Sequence, residues 1–435
     1  ALTLEECIQL ALKNRPELEM ATLDILNAEY QIKEANSYYY PHLNVTAGYT
    51  RFNRPETFDF NVDITEFLNS LSRSGIPIPS SVPRSLAQQV EIGKTNWFSV
   101  SVDLNQPIYT FGRIEEGVNQ ARIGRSIAVN QKEKKREEII FEVTKGYCQF
   151  ILAKEIHQLM KEAEARAGVV ASMVKIGYET SIPEKEDKGT TRLDYLKAEN
   201  FHSEIKARLS EAGKNAKLAE LGLKMAMGII TEQPLSLAEV SLQSMPMISS
   251  NPGEVKEKVR GGNVDLKNLD LGVQLFDSRR RATKKEYFPK IGVQGQYTGP
   301  EDRFGTPNVF YAGIGITLPL FDGFSTRAKV SQAETQFHKA NGQKMLLESA
   351  LSIQVDHLYS TLTELKERVN ILQGAIKDAQ ERAQLAADGY AAGITEYDEL
   401  LLAQRTEFEM RSAYLQGLYL YQTTKSEMEF ISGGT

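Results

Sequence analysis

Cysteine is nearly absent from this chain: Cys7 and Cys148 are the only two in 435 residues. They stand far apart and form no C-x-x-C pair, which argues against a disulfide framework or a zinc site. Histidine is scarce as well. His42, His157, His202, His338 and His357 form no H-x-x-x-H pair, and none neighbours a cysteine, so neither metal binding nor histidine catalysis is indicated. No run of eighteen apolar residues occurs, so no helix can span a membrane. A β-barrel is not excluded by this, because its strands alternate and leave a weak hydropathy signal. Positive charge is not in excess: Lys and Arg number 51 against 57 Asp and Glu, a formal net charge of −6. That argues against nucleic acid as a partner, since phosphate needs a basic surface. No G-x-x-x-x-G-K-[ST] loop is present and no cofactor is expected. The sequence opens at Ala1 without a charged segment followed by an apolar one, so a signal peptide is either absent or removed. Cys7 lies in an amphipathic pattern and reads as a helix residue, not a lipid attachment point.

What is present is a long internal repeat. Tyr39-Tyr40-Pro41-His42-Leu43-Asn44-Val45 returns as Tyr287-Phe288-Pro289-Lys290-Ile291-Gly292-Val293, an offset of 248 residues. Pro107-Ile108-Tyr109 returns as Pro319-Leu320-Phe321, and Tyr178 as Tyr390, both at 212. Arg192 to Glu199 returns as Tyr397 to Gln404 at 205. The drop of seven places an insertion in the first copy at Pro183-Glu-Lys-Glu-Asp-Lys-Gly189. The expected organisation is a first repeat over 1–228, an inter-repeat segment over 229–251, a second repeat over 252–430 and a tail over 431–435.

Each repeat holds two alternating segments, expected as strands over about 42–52 and 95–106, then 290–298 and 309–318. Leu43, Val45, Ala47 and Tyr49 alternate with Asn44, Thr46, Gly48 and Thr50; the other three follow the same rule. One face is apolar and the other small or polar. Each segment has about the 9–11 residues of a tilted membrane strand, with aromatics toward one end. Four strands close no barrel alone, so a barrel would need several chains. Pro107 and Pro319 are expected to end the inner strands, and Gly112 and Gly323 to permit the turn into helix.

From Gly112 to Tyr178 and from Gly323 to Tyr390 the pattern is helical without an internal proline. Either helix would extend roughly 100 Å. In the second, Leu358, Leu362, Leu365, Val369, Leu372, Ile376, Ala379, Ala383, Ala386 and Tyr390 recur at alternating spacings of four and three, a heptad seam. The first copy carries Gly146, Phe150, Ala153, His157, Met160, Glu164, Ala167, Ala171, Val174 and Tyr178 at the same places. Return helices are expected over 190–228 and 395–430, closing hairpins over 112–228 and 323–430. Shorter helices are expected over 3–14, 17–38, 252–261 and 264–287. Met225, Met227, Met245 and Met247 fit packing better than a copper(I) site.

The order helix–helix–strand–strand–long helix–long helix, given twice, resembles the TolC family of outer-membrane factors. So do the opening Leu2-Thr-Leu-Glu-Glu-Cys-Ile-Gln-Leu-Ala-Leu-Lys-Asn-Arg-Pro16, the strand-to-helix signatures at Pro107 and Pro319, and Gly389-Tyr-Ala-Ala-Gly393 followed by Leu401-Leu-Ala-Gln404. The resemblance spans nearly the whole chain. It implies a mixed α/β homotrimer in the outer membrane: four transmembrane strands per chain in a twelve-stranded barrel, continued by a periplasmic α-helical barrel. It also implies a periplasmic adaptor, an inner-membrane pump and membrane lipid as partners, no nucleic acid, and a passive duct, not an enzyme. The expected cargo is small molecules and drugs. The alternatives are type I protein secretion or, in a different class, a periplasmic coiled-coil scaffold.

By the same resemblance, Tyr390 matches a gate tyrosine and Glu399 an acidic residue facing the lumen near the entrance, with Asp194 its counterpart in the first repeat. Thr395 stands where a gate arginine can occur, and Leu402 where a second acid can. The helix-hairpin tips are implied to meet the adaptor, through Ser181 and Ile182 on one side and Gly393, Ile394 and Thr395 on the other. The charged insertion at 183–189 is expected to tune which adaptor is accepted. The connection Arg51 to Lys94, with an amphipathic stretch at Ile64, Phe67, Leu68 and Leu71, is expected to constrict the outer mouth.

Overall fold

In the computed structural model, residues 1–92, 95–180, 190–230, 233–238, 241–242, 251–301 and 307–434 are described. The chain falls into two compact units. One comprises Tyr30–Arg122 and Phe276–Gln336; the other comprises Ala1–Glu29, Ile123–Leu275 and Phe337–Thr435.

The first unit is built on a four-stranded antiparallel sheet: β1 (His42–Arg51), β4 (Asn96–Tyr109), β5 (Lys290–Glu301) and β6 (Pro307–Thr317), side by side in that order. β1 lies beside β4 and β5 beside β6, so the two expected strand pairs are each adjacent in the sheet. Register keeps the alternation in phase across the sheet. Val45, Val102, Tyr297 and Phe310 form one transverse row, and Asn44, Asp103, Gln296 and Tyr311 the next. Leu43, Val45, Phe98, Phe310, Ile314 and Ile316 are all more than half exposed, so the apolar face is uncovered within the chain.

Pro107 does not end its strand. β4 continues to Tyr109 through a register shift between Pro107 and Tyr109, where the bulge accommodates a residue without an N–H. Gly292 lies opposite, and a Cβ there would stand 3.1 Å from the Gln106 carbonyl oxygen. In the second repeat β6 does stop before Pro319, at Thr317.

Between β1 and β4 the chain makes a separate hairpin, β2 (Glu56–Asp63) with β3 (Ser85–Ile92), and a short helix α3 (Thr65–Arg73). The helix coincides with the expected amphipathic stretch; the hairpin adds two strands to the four expected.

Both strand-to-helix junctions are tight turns with two consecutive residues at positive φ: Phe111 (51°) and Gly112 (78°), then Gly323 (67°) and Phe324 (67°). The Arg113 N–H closes the first onto the Thr110 carbonyl at 3.0 Å, which makes it a type I′ turn. Each repeat has glycine at one central position and phenylalanine at the other, in opposite order. Aromatic contacts hold the strained phenylalanines: Phe111 stacks on Phe288 at 5.2 Å, and Phe324 meets Phe321 edge-on at 5.5 Å.

Just past the first turn lies Glu116, buried at 8% exposure. It accepts hydrogen bonds from Ser278 Oγ (2.7 Å), Arg281 Nε (2.9 Å) and Lys285 Nζ (3.0 Å). Lys285 also donates to the Gly112 carbonyl at 3.3 Å, so the acid and the turn are clamped by one side chain.

The second unit holds the helical cores. Its elements are α1 (Leu4–Asn14), much of α2 (Pro16–Ser37), α5 (Arg192–Ala226), α6 (Pro252–Gly262), most of α7 (Val264–Lys284), α9 (Tyr397–Ile431) and the greater parts of α4 (Arg113–Thr180) and α8 (Ser325–Ala391). The two long helices have 68 and 67 residues, several times the average helix. Such a helix persists because its stripe packs continuously, not because of propensity. Leu358, Leu362, Leu365, Val369, Ala379, Ala383 and Ala386 are all buried, as the heptad seam requires. In α4, Phe150, Met160, Ala167, Ala171 and Val174 are buried, while Glu164 is half-buried and satisfied by His202 Nε2 at 3.0 Å.

Cys7 and Cys148 are fully buried in one cluster with Ile139, Val143 and Tyr147. Burial raises both thiols, to about 11 and about 12, so they are inert at neutral pH. Met227 is buried in the same cluster and Met225 is 79% exposed, whereas Met245 and Met247 lie outside the described residues. Ile431 belongs to α9, and Gly433 packs on Gly262, so the chain beyond 430 is docked as far as Gly434.

Candidate functional site

The site lies at the ends of the two helical hairpins, within the second unit. α8 ends in a turn that satisfies its last carbonyls. Gly393 takes φ +72°, its N–H bonds the Tyr390 carbonyl at 3.0 Å, and the Ile394 N–H bonds the Gly389 carbonyl at 2.8 Å. This is a Schellman motif, and glycine is needed at the left-handed position. Thr395 then folds back onto Gly389, with its N–H 3.1 Å from the same carbonyl. Its Oγ1 occupies the place that a Cβ on residue 389 would take. The first hairpin repeats this contact: a Cβ on Gly177 would lie 2.6 Å from Thr190 Oγ1. Gly177 and Gly389 are 212 apart, and Thr190 and Thr395 are 205 apart, the two offsets of the internal repeat.

The tyrosines beside these glycines pair with tyrosines on the return helices. Tyr178 stacks on Tyr195 at 5.7 Å, and Tyr390 meets Tyr397 edge-on at 6.0 Å. Tyr390 also hydrogen-bonds with Thr190 of the first hairpin. Burial is the main reason both phenols are raised, Tyr397 to about 12; the nearby Asp194 carboxylate adds to it in each case. Both phenols are therefore neutral across the physiological range. Tyr397 is buried against Val174, Ala171 and Ala198, with Tyr390 alongside.

Asp194 sits near this aromatic group, but it is engaged as a helix cap. It accepts from the Thr191 N–H at 3.0 Å while the Thr191 hydroxyl accepts from the Asp194 N–H at 3.1 Å, a capping box at the start of α5. Glu399 is paired: Arg382 Nη2 of α8 lies 2.9 Å from its Oε1, with both side chains about half exposed. Asp398, one residue earlier, is the acid that reaches the first hairpin, through Lys197 Nζ at 2.7 Å. The two expected acids thus stand on the two hairpins, each already partnered. Leu402 is 52% exposed and Ile394 82%. Ser181, Ile182 and the 183–189 insertion lie outside the described residues.

Farther along, α9 is joined to the first hairpin by more ion pairs: Arg405–Glu204 (2.8 Å), Arg166–Glu407 (2.8 Å) and Arg411–Glu162 (3.1 Å). Exposed pairs of this kind contribute about 0–1 kcal/mol each. Glu407 is 4% exposed and differs: stripping one partner from a buried carboxylate is costly. The Gly–Thr contacts, Lys197, Asp398 and Arg382 are not among the residues singled out from sequence. The offsets that align Tyr178 with Tyr390 pair the glycines and threonines too, so the signal was there.

Among the described residues no group of His, Cys, Asp or Glu could hold a metal ion, and none of the described helices is long and apolar enough to cross a membrane. An antiparallel sheet with an uncovered apolar face, helices of nearly seventy residues and two capped hairpins are the parts of an outer-membrane channel subunit. The profile of the outer membrane efflux protein family matches residues 7–228 and 256–434, and the chain belongs to that family. It is an outer-membrane efflux protein of the TolC type. It is 22% identical over 423 residues to the toxin and drug export protein A of Aggregatibacter actinomycetemcomitans, covering 94% of this chain and 89% of the relative. It is 23% identical over 439 residues to the outer membrane protein OprJ of Pseudomonas aeruginosa, covering 95% and 80%. In fold it resembles the outer membrane protein VceC of Vibrio cholerae, with a TM-score of 0.74 at 15% identity and coverage of 99% of this chain and 96% of that one.

Proposed function

We propose that the chain is one third of the exit duct of a tripartite efflux system, passing small molecules from a periplasmic adaptor and an inner-membrane pump to the exterior. The observation that carries this is the open sheet. β1 and β6 are its edges and leave their outer backbone groups to be paired elsewhere. All neighbours are antiparallel, so β6 of one copy fits beside β1 of the next in the same sense. Two copies would give eight strands, a barrel whose interior side chains fill. Three give twelve, an even number wide enough for water. The polar face supports a lumen, being lined by Gly48, Ser99, Ser101, Gly292, Gly313 and Gly315. Mass measurement of the detergent-extracted protein is expected to give three chains of 48.7 kDa. A stable monomer without detergent sinks the reading.

In this duct the two hairpins of each chain form the periplasmic end, with Tyr390, Thr395, Asp194 and Glu399 at the constriction. The exposed Ile394, beside Gly393 and Thr395, offers the adaptor an apolar contact on a rigid turn. The relative from Aggregatibacter is named for toxin as well as drug export, and protein secretion is the second reading for this duct.

The Arg382–Glu399 pair sets the sign of an electrical test. A ring of carboxylates favours cations, but here each Glu399 carries its own cation. Arg382→Gln is expected to make the pore more cation-selective, and Glu399→Gln less so, in reversal potentials across planar bilayers. Equal potentials in all three proteins would place the selectivity ring elsewhere.

A further inference from the structure

We propose that the apolar face of the β2–β3 hairpin is a self-association surface, by which three copies of this chain close on one another above the outer mouth. This rests on the trimeric channel reading.

The register puts Phe58, Phe60 and Val62 on one face with Val90, Gln88 and Leu86 opposite them. Five of these six are apolar, and Phe58, Phe60 and Leu86 are each more than half exposed, at 57%, 54% and 53%. The other face carries Thr57, Asp59, Asn61 and Asp63 with Ser85, Ala87, Gln89 and Glu91. A two-stranded hairpin is marginal in water without a third strand or a helix on its apolar face. α3 does not serve, because the face keeps this exposure with the helix in place, and the helix's own Phe67 is 62% exposed. The face therefore calls for a partner.

Position selects a second copy over lipid. The aromatic residues Tyr49 and Phe98, opposite one another on the apolar face, mark the end of the membrane-crossing part of β1 and β4, and β2 begins at Glu56, beyond Arg51 and Arg54. The hairpin thus starts outside the hydrocarbon layer. β1 is the edge strand along which the next copy must pair, so the hairpin rises directly from the seam between copies. With acids and no base on its polar face, that face suits water and a cationic route.

The test is a cysteine at position 60. Cys7 and Cys148 are fully buried and stay silent. Oxidised Phe60→Cys trimers are expected to run as covalent dimers that reductant reverses, while Asp59→Cys, on the opposite face, stays monomeric on the gel. Phe60→Ser is expected to raise single-channel conductance. A trimeric, conducting Phe60→Cys protein that does not cross-link overturns the proposal. So does a bimane label at position 60 that brominated lipid quenches, since that makes the face a lipid contact. A protein that is monomeric in detergent removes the channel reading first, and the mass measurement separates that outcome from these.

Discussion

Glu116→Gln is expected to lower the stability of the channel by about 3 kcal/mol at neutral pH, the range for breaking a buried, hydrogen-bonded charge pair once partial solvation of its partners is allowed for. The acid is 8% exposed and is held by Ser278, Arg281 and Lys285, whose side chains come from the segment preceding β5. Burial alone would push its carboxyl up. The hydrogen bonds from Arg281, Ser278 and Lys285 outweigh burial and bring it down to about 2, from an ordinary 4.5. The folded group is thus the stronger acid. Its contribution is complete above the unfolded value and is lost as pH falls from about 5 toward 2. A shift of this size corresponds to about 3 kcal/mol.

Other carboxylates are depressed as well, Glu17 by its bond from Arg15 and Asp322 by Thr326, so the melting temperature alone does not isolate Glu116. The difference between wild type and Glu116→Gln does. It should be large at pH 7 and vanish near pH 2 when both are melted in detergent and followed by circular dichroism. A difference that stays constant with pH would mean that the substituted amide fails through shape and not through charge. The second repeat offers a control, because Ala328 stands at the matching place and Asp322 caps the helix instead through the Thr326 N–H at 2.8 Å.

These differences between the repeats mark where the sequence was legible. Period-two alternation located all four strands of the main sheet, since each must separate an apolar from a small polar face. The heptad located the second long helix, since a stripe of Leu and Ala has to stay on one side for dozens of residues; the first was legible from its proline-free helical pattern and from its matching places 212 residues earlier. Pro107 misled because a bulge, set by Gly292 on the neighbouring strand, removed the reason for the strand to stop. The β2–β3 hairpin escaped because Gln88, between Leu86 and Val90 on the apolar face, interrupts the pattern in β3, and its partner lies across α3. At the tips, the tyrosines were visible as repeated aromatics, but the pairing of charges was not. Arg382 and Glu399 are seventeen residues apart across a hairpin turn, and only the turn's geometry decides that Glu399 points back to α8 while Asp398 reaches α5.

That same geometry predicts that Gly389→Ala opens the resting channel. On an exposed helix the change would add about 1 kcal/mol of stability through helix propensity. Here the new methyl group would fall on Thr395 Oγ1 and within 3.2 Å of Thr395 Cβ. Overpacking of this kind costs roughly 1–3 kcal/mol, so the sign reverses and the turn has to give way. Thr395 leads directly into α9, and Tyr397, two residues on, is the ring against which Tyr390 rests. Displacing the turn separates that pair and, in the proposed duct, loosens the constriction there. The expected result is higher resting conductance in planar bilayers and entry of antibiotics too large for the closed duct. Gly177→Ala should act likewise through Thr190, because the same contact closes the first hairpin. Thr395→Gly in the Gly389→Ala background removes both clashing atoms and should restore the closed state, whereas Thr395→Ser keeps the hydroxyl and should not. Neighbours in contact are expected to be non-additive in this way. A Gly389→Ala channel that is more stable than wild type and equally closed would show that the glycine–threonine contact does not hold the gate.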